Sequence, residues 1–331
     1  MNYLRRPVLG AAIAAATIVT SFAQTPTAPA RPAPPALWSV TADIASPEST
    51  FYDAASNSVF VSNINGGVTD KDGNGYITRL TPDGKVVNAK WASGMNGPKG
   101  LRGVGGTLWA ADIDEVVGIE IASGRITSRV RIDGATFLND LATAPDGSIY
   151  VSDSMKARIY IVRDGKASIF VEGEDLIETP NGVLVDGNRV IVGSMGRGVF
   201  GPPPGRGDGA RGQGAPAGRG RGAGAPAGGK LFAFDRTTKA RTVITPEPIG
   251  GIDGIELDGR GGYLVTDVFG SRLLQVSASG AARTLLQFPS AGADIGYIAP
   301  RQMVIVPFLN GNSVSAYDLS APEPSPSRNG S

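Results

Sequence analysis

The sequence predicts an all-β protein, a six-bladed β-propeller, and three observations lead to this fold class. The first is a recurring segment that opens with a polar residue, continues through a turn and closes with an alternating strand, as in residues 137–153. The second is the spacing, because successive copies begin roughly 40 residues apart once an insert is removed. The third is that each interval has room for four short strands, the content of one propeller blade. The six copies open at Glu48, Lys99, Asn139, Asn181, Asp253 and Asp294.

The third copy shows how one blade is built. Asn139–Thr143 is predicted as the inner strand and Ser148–Asp153 as the second. The third and outer strands are predicted at Arg158–Val162 and Ala167–Val171, with Asp-Gly turns supplying the positive φ that strand twist requires. The last copy has only three strands of its own. We therefore expect the strand 37–44, which precedes the first copy, to join the last blade and close the ring.

The N-terminus has the pattern of a secretory signal peptide. Two arginines precede an apolar run over residues 8–19, and the small residues Ser21 and Ala23 provide a cleavage site after Ala23. The apolar run is short for a membrane span, although an uncleaved anchor is the alternative interpretation. We expect residues 1–23 to be removed and the mature protein to be periplasmic or secreted.

Three further segments are predicted to lie outside the blades. Residues 24–36 are rich in Pro and Ala, which is typical of an extended linker. Residues 199–229 are rich in Gly, Pro and Arg and interrupt blade four. Because this insert has few apolar residues to bury, it is predicted to be a disordered loop, as is the tail at 320–331. The propeller itself is predicted over 37–319.

The composition excludes several kinds of chemistry. The sequence contains neither Cys nor His, which removes disulfides, thiol nucleophiles, Ser-His-Asp triads and His-ligated metals. The formal net charge is +1, and this near-neutral balance argues against nucleic acid or an anionic membrane as a partner. We expect a monomer that acts on a small molecule.

The polar residues that open the six copies are the candidate functional residues. All inner strands of a propeller run in the same direction along its axis, so we expect these side chains to form one ring at the mouth of the channel. Three carboxylates, two amides and one ammonium group would meet there. Oxygen ligands without nitrogen or sulfur favour a hard cation, above all Ca²⁺. One Lys cannot balance three carboxylates, so a bound cation is favoured over the alternative of a merely polar, water-filled lining.

Four of these positions resemble the metal site of a known family. The segments are SPESTFYD around Glu48, FLNDLATAPDGSIYVSD around Asn139, TPNGVLVDG around Asn181 and GIDGIELDG around Asp253. Their order is similar to that of gluconolactonases, senescence marker proteins and luciferin-regenerating enzymes, and of calcium-dependent phosphotriesterase-like and paraoxonase-like relatives. The resemblance covers 37–319 apart from the insert. It implies a propeller in which Glu48, Asn181 and Asp253 bind a divalent cation, with Asn139 as a ligand or a substrate contact.

Three features depart from that family. Phe137 stands two residues before Asn139, where gluconolactonase-like members usually have an Arg that contacts the sugar. No His is present, whereas the phosphotriesterase and paraoxonase relatives use one near the metal. Lys99 adds a cation to the ring, where we expect it either to pair with Glu48 or Asp294 or to act on the substrate.

These observations lead to two hypotheses for the function. The first is an exported, Ca²⁺-dependent hydrolase of lactones or related esters, in which the cation polarises the carbonyl. Asp253 or Asp294 would accept a proton from the attacking water, and Lys99 would stabilise the oxyanion or anchor an acidic substrate. The second is a non-catalytic periplasmic propeller that serves as a binding or scaffold module with a structural ion. A quinone-dependent oxidoreductase is a more distant alternative, because its usual His and Arg pair is absent.

A second acidic motif occupies residues 70–77. Its sequence, DKDGNGYI, matches the first eight positions of an EF-hand loop, but Thr81 stands where the bidentate Glu is required. The motif falls in a predicted hairpin loop of blade one, and Asp, Gly and Asn are the residues that such turns favour. We predict an ordinary turn here, with a weak calcium site as the alternative.

Overall fold

The structure, a computed structural model, describes residues 34–200 and 228–320. In this part of the chain the strands form six sheets of four antiparallel strands each. The predicted six-bladed propeller is therefore confirmed. The predicted signal peptide at 1–23, most of the linker at 24–36, most of the insert at 199–229 and nearly all of the tail at 320–331 lie outside the described residues.

The first three blades each consist of four consecutive strands, and the first described strand belongs to the last blade. That first strand is β1 (Trp38–Val40). Blade one contains β2 (Pro47–Asp53), β3 (Ser58–Asn63), β4 (Gly75–Leu80) and β5 (Val86–Met95). Blade two contains β6 (Pro98–Val104), β7 (Thr107–Asp112), β8 (Glu115–Glu120) and β9 (Ile126–Arg131). Blade three contains β10 (Leu138–Thr143), β11 (Ile149–Asp153), β12 (Arg158–Arg163) and β13 (Lys166–Glu172).

The remaining blades follow the same order, and within residues 34–200 and 228–320 helix is confined to single turns. Between blades three and four lies α1 (Glu174–Ile177). Blade four contains β14 (Pro180–Asp186), β15 (Arg189–Ser194), β16 (Leu231–Asp235) and β17 (Arg241–Val243). Blade five contains β18 (Ile252–Leu257), β19 (Tyr263–Asp267), β20 (Arg272–Val276) and β21 (Ala282–Gln287). Blade six contains β22 (Gly296–Ile298), β23 (Met303–Phe308) and β24 (Ser313–Asp318), with 3₁₀ turns at Ala299–Arg301 and Leu309–Gly311.

The ring closes through the N-terminal strand, as the sequence predicts. In the last sheet β1 is the outer strand and pairs with β24, with Val40 opposite Val314. The strand is shorter than the predicted 37–44. It ends at Val40 because the chain must turn towards β2, and Asp43 and Ser46 adopt positive φ values in that turn.

The core lies between neighbouring blades rather than inside any one of them. Each sheet is covered on both faces, so its strands read as almost continuous apolar runs, as in the fully buried β3. One cluster joins Ile159 and Phe170 of blade three to Val190 and Phe232 of blade four. Each blade is therefore stabilised by its neighbours.

No helix in the described ranges is long and apolar enough to cross a membrane.

Closure by β1 predicts a measurable cost of removing it. A chain that begins at Thr41 exposes the edge of β24 and uncovers the buried Val314, which packs in one cluster with Val40. We expect its melting temperature to be lower by about 5 °C or more than that of a control chain beginning at Pro34. Differential scanning calorimetry measures the difference, and identical melting of the two chains would show that β1 does not close the ring.

Candidate functional site

Five of the six polar residues singled out in the sequence occupy the same place in five blades. Each is the second residue of an inner strand, and each is buried. Because the inner strands surround the axis, these residues lie at the end of the channel where the inner strands begin, which we call the channel mouth. These ring residues are Glu48, Lys99, Asn139, Asn181 and Asp253.

A β-bulge in each of these inner strands takes the ring residue out of the sheet ladder. In blade three the register with the second strand shifts between Leu138 and Leu141, so that Asn139 has no partner opposite it. The inner strands of blades one, two, four and five shift at the equivalent place. A bulge bends the strand and re-aims its side chains. The ring residues are therefore held by an irregularity that the alternating sequence pattern does not reveal.

Buried hydroxyl groups satisfy the backbone that the bulges leave unpaired. Ser152 of β11 accepts a hydrogen bond from the amide of Asp140, the residue after Asn139 (3.0 Å). Thr266 of β19 accepts the equivalent bond from Gly254, the residue after Asp253 (2.7 Å). A buried amide without a partner is costly, so each hydroxyl stabilises the bulged conformation.

In blades two, three and five an acidic residue at the end of the second strand fixes the loop that leads into the inner strand. In blades three and five it follows a hydroxyl residue, as in Ser152-Asp153 and Thr266-Asp267. Its carboxylate accepts hydrogen bonds from backbone amides two or three residues before the ring residue. Asp112 accepts from Gly97 (2.7 Å), Asp153 from Thr136 (2.8 Å) and Asp267 from Gly251 (2.8 Å).

The sixth candidate, Asp294, is one residue out of phase with the ring. Ser152 donates to the carbonyl oxygen of the next blade's ring residue, Asn181 (2.7 Å). The equivalent hydroxyl of Thr266 donates to Ala293 (3.0 Å), so Ala293 holds the sixth ring position. The expectation that Asp294 completes the ring was therefore wrong by one residue. Blade six has a short inner strand, and the sequence pattern alone did not fix its phase.

Asp294 instead pairs with Arg102 on the axis. The guanidinium donates from Nη1 to Oδ2 (3.0 Å) and from Nη2 to Oδ1 (3.2 Å), and Ser49 donates to Oδ2 (2.6 Å). Arg102 also lies 3.8 Å from Glu256. Burial lowers the pKa of Arg102, but Asp294, Asp140 and Glu256 outweigh it and raise the pKa above its ordinary value. Arg102 thus supplies a second positive charge on the axis besides Lys99. It lies outside the six repeated positions, so the sequence pattern does not indicate it.

Asp140, which follows Asn139 in the sequence, is a structural residue that the sequence analysis also missed. Its Oδ1 accepts from the amide of Leu141 (2.7 Å) and its Oδ2 from the amide of Val183 in the next blade (2.7 Å). Burial and Asp294 raise its pKa, while Arg102 and the two amides lower it. The carboxylate thus links blades three and four beneath the ring.

Lys99 is buried under an aromatic ring rather than paired with an acid. Its side chain is 1% exposed, its Nζ donates to the carbonyl of Gly97 (3.1 Å), and it lies 4.8 Å from the centroid of Phe137. Among the described residues it forms no ion pair with Glu48 or Asp294. Burial lowers its pKa to about 8, although Glu48 and Asp112 act in the opposite direction.

Three oxygen atoms of the ring are buried without a hydrogen-bond donor. They are Glu48 Oε2, Asn181 Oδ1 and Asp253 Oδ1. Unpartnered buried oxygens are rare in native proteins, since each costs about 1–3 kcal/mol. They belong to the three residues for which the family resemblance implies metal binding.

The NH₂ groups of the two ring amides also contact neighbouring side chains, and a hydrogen bond from Asn181 lowers the pKa of Asp253 in part. Asn139 Nδ2 donates to Ser154 Oγ (3.1 Å), and Asn181 Nδ2 lies 3.5 Å from Met195 Sδ. Because an amide holds its oxygen and nitrogen on opposite sides, these contacts leave both carbonyl oxygens available as ligands.

The carboxyl groups of Glu48 and Asp253 are both poorly solvated, and burial is the largest cause of both pKa shifts. Burial raises the pKa of Glu48 well above its ordinary value, Asp253 and Asp294 raise it further, and Lys99 lowers it in part. Burial, with Asp294, raises the pKa of Asp253 to about 8. Without a cation both carboxyl groups therefore hold a proton more tightly than they would in water.

A divalent cation fits the oxygens of this donor set. Among the described residues no three carboxylates converge as ligands of one ion, so the candidate set is two carboxylates and two amides. Ca²⁺ accepts such mixed oxygen ligands.

The acidic loop at 70–77 differs from the ring, because its carboxylates accept hydrogen bonds from within the same hairpin. Asp72 accepts from Asn74 Nδ2 (2.6 Å), and Asp70 accepts from the Gly67 amide (3.1 Å). Those bonds agree with the predicted turn.

Comparison with known proteins gives a likeness in structure only. No protein-family model matches the sequence, and no curated protein matches it. A solved structure of a gluconolactonase from Xanthomonas campestris superposes with a TM-score of 0.57, covering 85% of this chain and 87% of that one, at 16% sequence identity. At this identity the likeness establishes a shared fold.

The buried pair on the axis predicts a large stability effect. Arg102→Met leaves Asp294 without its counter-charge, and we expect the free energy of unfolding to fall by about 3–5 kcal/mol. Arg301→Met is the matched control, because its pair with Asp83 is largely exposed and contributes at most about 1 kcal/mol. Urea denaturation measures both variants. Equal effects would contradict a special role of the axial pair, whereas partial recovery by adding Asp294→Asn would support it.

The raised pKa of Asp253 predicts a pH dependence of stability in the presence of a chelator. The unfolded chain releases this proton near the ordinary value of 3.8, whereas the folded protein keeps it up to about 8. Over that interval the folded state binds more protons, so stability falls as the pH rises. We expect a steeper fall in the free energy of unfolding between about pH 5 and pH 8 for the wild type than for Asp253→Asn. The exposed Asp133→Asn variant should retain the wild-type slope, and an unchanged slope in Asp253→Asn would contradict the assignment.

Proposed function

We propose that the protein is a divalent-cation-dependent hydrolase of lactones or related esters, with Ca²⁺ as the preferred ion. The observation that carries the proposal is the set of three buried oxygens without donors at the channel mouth, on Glu48, Asn181 and Asp253. The gluconolactonase that shares this fold supports the reaction class.

The cation would be held by Glu48, Asn181 and Asp253, with Asn139 as a ligand or substrate contact. When bound, it supplies a Lewis acid that polarises the carbonyl group. The remaining roles fall to residues of the chain. Lys99, a buried ring residue, stabilises the negative charge that develops on the carbonyl oxygen.

Asp253 is the proposed acceptor of the proton from the attacking water. Its Oδ1 has no hydrogen-bond partner, so the carboxylate has an oxygen available to accept the proton. Asp294, the other candidate base, has both oxygens engaged by Arg102 and one by Ser49. Asp253 returns the proton to the alkoxide as the acyl C–O bond of the lactone breaks, so the product is a hydroxy acid.

A non-catalytic propeller with a structural ion is the second candidate. The observation that favours it is the engagement of Asp294, which leaves Asp253 to serve as both ligand and base. Both candidates predict cation binding, and only the first predicts turnover.

Cation binding predicts a thermal shift that depends on Asp253. An ion that binds only the folded state raises the melting temperature, by an amount equivalent to about 2.7 kcal/mol at a hundredfold excess over its Kd. We expect Ca²⁺ to raise the melting temperature of the wild type but not of Asp253→Asn. The matched control is Asp72→Asn in the hairpin loop, which should keep the full shift.

A hydrolysis assay separates the two candidates. We expect the wild type to open lactones in the presence of Ca²⁺ and to lose this activity with chelator or with Asp253→Asn. A thermal shift without turnover would favour the non-catalytic propeller. The absence of any shift in the wild type, or its loss in Asp72→Asn alone, would overturn the axial cation site.

Export is part of the proposal and rests on residues 1–23. The basic residues and apolar run that precede Ala23 support cleavage of a signal peptide. The mature N-terminus is then expected at Gln24. Mass spectrometry of the protein from a periplasmic or extracellular fraction tests this expectation.

A further inference from the structure

We propose that the channel mouth contains an apolar subsite and that the protein acts on lactones or esters with an alkyl or aryl substituent. This inference rests on the proposed function and names its substrate class. It comes from apolar side chains at three places, which lie against a ring residue or against a residue next to the ring. These residues, which we call the apolar rim, are Phe137, Phe200, Met195 and Phe269.

Two phenylalanines lie above Lys99. Phe137 covers the ammonium group, and its ring lies 5.6 Å from the ring of Phe200. Phe137 is 6% exposed, whereas Phe200 is 43% exposed. The two phenylalanine side chains therefore extend from Lys99 to the protein surface, and Phe200 is the one that is exposed to solvent. A substrate chain leaving the axis on this side would meet aromatic carbon.

The other two rim residues lie beside Asn181 and beside the loop that leads to Asp253. Met195 follows β15, and its sulfur lies 3.5 Å from the amide nitrogen of Asn181. Phe269 lies over Gly251, two residues before Asp253. A Cβ atom at Gly251 would be 2.6 Å from this ring, so glycine is required there. Phe269 is nevertheless 48% exposed.

Exposed aromatic side chains at a polar site indicate a ligand of matching chemistry. Large apolar groups left open to water are unfavourable, and where they gather beside convergent polar groups they mark a binding site. Here the polar groups are the ring oxygens and Lys99, and the rim supplies the apolar part. Recognition of a polyhydroxylated substrate would need hydrogen-bonding side chains at these rim positions, and Phe and Met offer none of comparable strength.

The subsite can be tested with ligands that cannot be hydrolysed. Pyrrolidinone, a lactam, and its hexyl-substituted form present the same ring amide and differ only in an apolar chain. Each methylene group that is fully buried strengthens binding about fourfold. We expect calorimetry with the Ca²⁺-loaded protein to show at least about tenfold tighter binding of the hexyl lactam, which corresponds to partial burial of the chain.

Variants assign this preference to the rim. Phe200→Ala removes an exposed ring without disturbing the core, and Phe269→Ala does the same on the other side. We expect each to reduce the preference for the hexyl lactam several-fold. Leu257→Ala is the matched control, since it removes a side chain of similar exposure, 43%, from the far end of the inner strand of blade five. It should leave the preference unchanged.

The outcomes distinguish the subsite from the proposed function. Equal binding of the two lactams, no binding of the hexyl lactam, or a preference that survives both rim variants would overturn the subsite. Hydrolysis of lactones without any preference for an alkyl chain would also overturn it while leaving the hydrolase intact. A hexyl preference that depends on Phe200 and Phe269, in a protein that opens no lactone, would support the subsite and reject the hydrolase.

Discussion

The structure depends on one constraint, the satisfaction of backbone groups where each inner strand begins. A side chain can face the channel mouth only if the strand leaves its regular ladder, and this leaves amides without partners. In blades one, three and five a hydroxyl group on the second strand of the same blade supplies a partner. In Ser152-Asp153 the hydroxyl binds the amide of Asp140 and the carboxylate binds the amide of Thr136, so that Asn139 is held between two fixed points. The same arrangement at Thr266-Asp267 holds Asp253.

The charges on the axis fall into two layers with different consequences. In the lower layer Arg102 and Asp294 form a bidentate pair, and their charges offset one another. In the ring, Glu48 and Asp253 have no such partner, and Lys99 lies against Phe137 instead. In the lower layer the ion pair therefore offsets the desolvation of its charges. In the ring the desolvation of Glu48 and Asp253 has no such compensation. That difference is the physical basis for proposing a cation at the ring and a structural role for the layer beneath it.

Phe137 connects the charge of the site with its chemistry. The aromatic ring covers Lys99 and gives the ammonium group a favourable contact, while burial lowers the pKa of that group. The same ring begins the apolar surface that continues through Phe200. A single aromatic residue, two positions before Asn139, thus affects both how an oxyanion would be stabilised and which substituents the channel mouth would accept.

The sequence by itself determined the fold, because the spacing of the copies and the alternation of their strands are local patterns that repeat six times. It also identified five ring residues, since Glu48, Lys99, Asn139, Asn181 and Asp253 occupy one position of a repeated segment. Only the tertiary structure decided what lies around them. Arg102 meets Asp294 across 192 positions of the chain, and no local pattern predicts a contact of that range. The phase of Asp294 was likewise set by hydrogen bonds to neighbouring blades, which form only when the ring closes.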